Sequence, residues 1–119
     1  RAYQNNMIYK PVTADVEVRQ QSGARMLRLA LQEPDLRRRA PIVPDHGKMM
    51  HLFMVSATNM NAMAHLHPLK LNRRDFVVAV PNDLPAGVYS LYAEITYETG
   101  FNENIHSHVG ITRFSHLVP

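Results

Sequence analysis

The chain has 119 residues, a formal charge of +3 and no cysteine, with 45% apolar and 19% charged residues. That length and balance fit one globular domain with its own core, read here as spanning residues 1–119, and not a disordered chain. The missing cysteines exclude zinc ribbons, thiol redox centres, type 1 copper sites and disulfide scaffolds together, while leaving an oxidising compartment open.

A two-residue alternation dominates the chain from its first clear element. Residues 14–20 (ADVEVRQ) place Val16 and Val18 on one face. Residues 24–32 (ARMLRLALQ) place Leu27 and Leu29 opposite Met26. A loop with Pro34, Pro41 and Pro44 follows and carries the basic triplet Arg37, Arg38 and Arg39. One short basic run reads as a solvated loop. Specific nucleic-acid binding wants a wider basic patch interleaved with stacking aromatics, so no nucleic-acid partner is expected.

Residues 48–56 (KMMHLFMVS) are apolar on both faces, as in a central strand. Residues 63–67 (MAHLH) form the next short strand, stopped by Pro68, and 75–80 (DFVVAV) the one after. The turn cluster PNDLPAG leads into 88–97, where Tyr89, Leu91, Ala93, Ile95 and Tyr97 share a face. A loop carrying Gly100 then leads to the last strand, 105–114 (IHSHVGITRF). About seven short strands separated by turn signals predict an all-β fold, an antiparallel sandwich. Its expected core draws on Leu27, Leu29, Leu52, Val78, Leu91, Ala93 and Ile95. No apolar run approaches the ~20 residues needed to span a bilayer. The chain opens at Arg1 without a signal-peptide pattern and reads as an excised or processed piece of a longer protein.

Chemistry concentrates in residues 51–68, HLFMVSATNMNAMAHLHP. Alternate residues of a strand project to the same face, so His65 and His67 point together, with Met63 beside them. His106 and His108 repeat the pattern on the last strand. If residues 57–62 turn the chain back on itself, His51 faces His67, Phe53 faces His65 and Val55 faces Met63. Directly opposed residues have Cβ atoms about 4.5–5.5 Å apart, which makes His51, His65 and His67 a compact imidazole cluster. A slip of one residue turns His51 away. The alternative is that His51, Phe53 and Val55 form the inward face and the histidines are structural.

Methionine fills irregular core gaps, and Met7 and Met26 read as packing. Met49, Met50, Met54, Met60 and Met63 crowd around the histidines, with Met60 at the turn tip. Thioethers suit Cu(I) and imidazoles suit both copper states, so a Met/His mixture without cysteine points to copper as the cofactor. Asp45 beside His46 reads as a carboxylate–imidazole pair or simply a turn.

The segments DHGKMMHLFMVS, MAHLHP and LPAGVYSLYAEITYETG resemble the YtkA-like exported bacterial β-sandwich domains found in copper-handling contexts. The resemblance spans about residues 42 to 100. It implies an immunoglobulin-like or cupredoxin-like fold, an extracytoplasmic (periplasmic) location, and His46, His51, His65 and His67 as motif positions, with Met50 adjoining. Two features depart from that pattern: Met63 stands where an aromatic residue is common, and the His106/His108 pair falls outside it. Both add donors, so the expected metal ligands are His51, His65 and His67, aided by Met63 or Met50, with His46 as a further motif position and His106 and His108 in reserve, either completing this site or forming a second one. The function expected is a copper chaperone, storage or sensing module with a copper-delivery or membrane protein as partner. The alternative is a non-catalytic interaction module. A nucleophile elbow, a thiol nucleophile and an N-terminal histidine are all missing from the sequence, which argues against an enzyme.

Overall fold

A computed structural model of the chain describes residues 11–32, 40–59 and 61–114. Met7, Met60, Pro34 and the arginine triplet lie outside the described residues. The elements are all strands: β1 (Thr13–Gln21), β2 (Ala24–Gln32), β3 (Ile42–Val43), β4 (His51–Ser56), β5 (Met63–Leu66), β6 (Leu69–Lys70), β7 (Asp75–Val80), β8 (Gly87–Tyr97) and β9 (Asn102–Ile111). One sheet runs β1-β2-β7-β6. In the other, β8 is central, with β9 along one side and β4 and then β3 along the opposite side; β5 pairs with β4 at the outer edge. Every pairing is antiparallel.

The sandwich expected from the alternation is present. The seven longer strands match the predicted ones, and β3 and β6 are two-residue additions. Leu27, Leu29, Leu52, Leu91, Ala93 and Ile95 are buried between the sheets, with Val78 packed against them. Met26 departs from the packing role expected of it and is half-buried on the outer face of β2, opposite the core-facing Leu27. Three strand limits differ by more than a residue: β9 ends at Ile111 and not at residue 114, and the starts of β4 and β9 shift for physical reasons. β4 begins only at His51, because residues 45–48 form a tight turn. β9 begins at Asn102, because Glu103 is buried: its carboxylate accepts hydrogen bonds from the Val12 N–H (2.9 Å) and the Tyr97 hydroxyl (2.7 Å).

Arg25 is also fully buried. Its guanidinium donates to the carbonyls of Thr112 (2.6 Å), Pro81 (2.6 Å) and Leu84 (3.0 Å), tying β2 to the chain leaving β9 and to the loop before β8. An ammonium group cannot reproduce that fork. Arg25→Met is expected to lower the unfolding free energy by about 2–4 kcal/mol, measured by urea denaturation, with Arg25→Lys recovering only part of the loss.

Burial pushes the Glu103 carboxyl above its ordinary value, against a smaller opposing effect of the Val12 N–H. The folded state therefore holds that proton more tightly than the unfolded chain does. The associated stability is complete below the ordinary Glu value of about 4.3 and is lost as pH rises through the raised value. As pH rises above about 4.3, Glu103→Gln is expected to gain stability relative to wild type; a difference that does not change with pH would contradict this assignment.

Candidate metal centre

β4 decides which way the histidines face. Leu52, Met54 and Ser56 are buried, so His51, Phe53 and Val55 lie on the outer face of the sheet. The histidine face is therefore solvent-facing and not the core. The hairpin to β5 is closed by the Ser56 hydroxyl, which accepts from the Thr58 and Asn59 N–H groups, and by Asn59, whose side chain accepts from the Asn61 N–H. The resulting register pairs Phe53 with His65 and Val55 with Met63, as the sequence predicts. Pro68 then keeps His67 extended, because the residue before proline is steered away from helical torsions.

These constraints bring three imidazoles together. Ring centroids are 5.0 Å apart for His51–His67, 4.8 Å for His65–His67 and 5.8 Å for His51–His65. One ring nitrogen from each lies within 4.8 Å of the others. A four-coordinate ion with bonds of about 2.0–2.1 Å would draw such nitrogens to roughly 3.4 Å, a closure within reach of side-chain rotation. His65 is exposed, and Phe53 stacks on its ring at 4.1 Å and 17°, so the closure falls mainly to rotation within that stack and to His67.

His51 is the anchored member, with a side chain 15% exposed. Its Nε2 lies 3.0 Å from the Asp45 carbonyl oxygen. A carbonyl can only accept, so Nε2 carries the proton and Nδ1 keeps the lone pair; metal-binding histidines are oriented by such a bond on the far nitrogen. The carbonyl is placed by the turn Asp45–Lys48, in which each end residue donates its N–H to the other's carbonyl (2.8 and 3.1 Å). His46 (φ 51°) and Gly47 (φ 79°) both take the positive φ that a type I′ turn requires. Both sequence readings of Asp45 are realised: it opens the turn, and its carboxylate lies 3.3 Å from His46 Nδ1, while it meets His51 chiefly through its main-chain carbonyl.

Burial lowers the His67 pKa, and the neighbouring His65, His51 and Lys48 lower it further. A neutral imidazole is the ligating form, so this environment favours metal over proton.

The other predicted donors sit elsewhere. Met50 is fully buried in the core, as is Met54, and Met49 packs against it, so these thioethers serve packing. Met63 is 61% exposed on the imidazole face, beside His65 and on the side away from His51. His46 is exposed in the turn, its Nδ1 3.3 Å from Asp45 Oδ1, outside the three-histidine group. His106 and His108 lie on β9, with β4 and β8 between them and β5. Three interstrand spacings amount to about 14 Å, too far to share an ion with His65. Sequence reasoning placed Phe53 opposite His65, as found, but missed Glu94, which pairs across from His51 on the same face. The β4–β8 pairing that brings in Glu94 joins strands distant in sequence and leaves no local signal.

Neither a protein-family model nor a curated protein matches the chain. What the fold and the site define is an antiparallel β-sandwich that gathers three imidazoles on the outer face of one sheet.

The tautomer assignment predicts a protonated Nε2 and an unprotonated Nδ1 for His51 in metal-free protein, read by ¹⁵N-detected NMR at neutral pH. Gly47→Val, which puts a β-branched side chain at a positive φ, is expected to mix the two tautomers and to cost about 1–2 kcal/mol of stability.

Proposed function

We propose that this chain is a copper-binding module that holds one ion on His51, His65 and His67, with His51 ligating through Nδ1. The observation that carries the reading is the convergence of one ring nitrogen from each of three histidines within 4.8 Å, the His51 ring being oriented by the hydrogen bond at its Nε2. Imidazole suits copper and zinc alike, and Cu(II) stands above Zn(II) in the general affinity order. Met63, exposed beside His65, offers a soft donor for Cu(I). The YtkA-like resemblance supports the same reading, and with it an extracytoplasmic setting for copper delivery, storage or sensing. Phe53 (41% exposed) and Tyr92 (45% exposed) are register partners on this outer face. That apolar strip beside the ligands is where a copper-delivery or membrane protein would dock.

The test is competitive titration with Cu(I) and Cu(II) of wild type and the His65→Ala/His67→Ala double variant, whose fold is checked by circular dichroism. Loss of two ligands is expected to weaken binding by more than about a hundredfold, beyond what loss of a supporting hydrogen bond typically does. Affinity should also fall as pH drops below about 6.5, where protons compete for the imidazoles. A wild type that binds no copper, or a double variant that binds it unchanged, overturns the reading.

A further inference from the structure

The same outer face carries a second pair of imidazoles that the three-histidine cluster leaves unused. His106 and His108 occupy alternate positions on β9, both exposed, with ring centroids 5.3 Å apart and planes tilted by 40°. Their platform is firm: β9 pairs with β8 from Gly87 to Thr96, and Ile105 and Val109, which flank the pair, are buried. Tyr92, the register partner of His106, stacks on its ring at 4.6 Å and 10°, which restricts that ring to a narrow range of orientations. Ser90 stands opposite His108 on the same face and contributes no bulk to block it.

We propose that His106 and His108 form a second metal site, selective for a borderline divalent ion and filled best by Cu(II). Two residues projecting side by side from one strand can chelate through two imidazole nitrogens, with water completing the coordination. Neither β8 nor β9 contains a methionine, and the chain has no cysteine, so soft donors for Cu(I) are missing from these strands. Imidazole with water suits Cu(II), and after it Ni(II) and Zn(II) in the general affinity order. With two protein donors in place of three, this is the weaker of the two sites. It stands on its own residues and does not depend on the cluster at His51.

The chain has five tyrosines and no tryptophan, so tyrosine emission can be read directly, and a Cu(II) ion beside the stacked Tyr92 should quench it. The experiment is Cu(II) titration, by calorimetry and tyrosine fluorescence, of wild type, His106→Ala/His108→Ala, His65→Ala/His67→Ala and Tyr92→Phe. Wild type is expected to bind two ions in two steps. His106→Ala/His108→Ala should bind one, without the quenching that accompanies the weaker step. Tyr92→Phe should keep both ions and lose that quenching. Both histidines of the pair are exposed, so their removal spares the core. A wild type that binds a single ion, unchanged in His106→Ala/His108→Ala, overturns the second site and leaves the first standing. A single ion lost with His106 and His108 but retained without His65 and His67 upholds this site and excludes Cu(II) from the first. No Cu(II) bound by wild type overturns the second site, and the first as well if Cu(I) is not bound either.

Discussion

Leu52 and Met54 are fully buried between the sheets, and a strand with a two-residue repeat cannot bury them without turning His51, Phe53 and Val55 to the solvent side. β4 is held in that orientation twice, by β8 along one edge and β5 along the other. Slipping β4 by one residue against β8 would push His51 into the core and the Met54 thioether into water, and slipping β5 would turn His65 and His67 inward. Hydrophobic burial thus sets the direction of groups that take no part in the core themselves.

Polar groups then close the sandwich where apolar packing runs out. β1 lies against β9, and the Val12 N–H reaches the buried Glu103 carboxylate there. Arg25 gathers three main-chain carbonyls from two separate segments. Neither group belongs to the imidazole face, yet both hold β9, which carries one of its histidine pairs. The turn at Asp45–Lys48 acts more directly, since its carbonyl reaches the His51 ring.

Much of this was legible in the residues themselves. Val16 and Val18, Leu27 and Leu29, and the row from Tyr89 to Tyr97 alternate over enough positions to define strands and faces. The loop at 57–62 fixed the hairpin register, so the clustering of His51, His65 and His67 followed from local spacing. The limits have equally physical causes. β3 and β6 are too short for any repeat to show. In 48–56 both faces are apolar, so alternation separates Met50 and Met54 from His51 but does not say which of the two faces is the core; the packing of the second sheet decides that. Asn102 and Asn104 look like turn residues, and only the buried bonds of Glu103 explain why the strand continues through them. The stacking of Tyr92 on His106 depends on the β8–β9 register, which alternation alone does not set.

All three imidazoles of the main cluster, and the turn that orients one of them, lie between residues 45 and 67. That is a short stretch of chain, and the entropy of closing so small a loop is low, so the hairpin can sample its paired form before the two sheets meet. An ion captured by such a hairpin would be bound in part by the denatured ensemble as well as by the native state. Metal stabilises a fold only through its preference for the native form. For this topology, tight capture and a modest rise in melting temperature are therefore compatible.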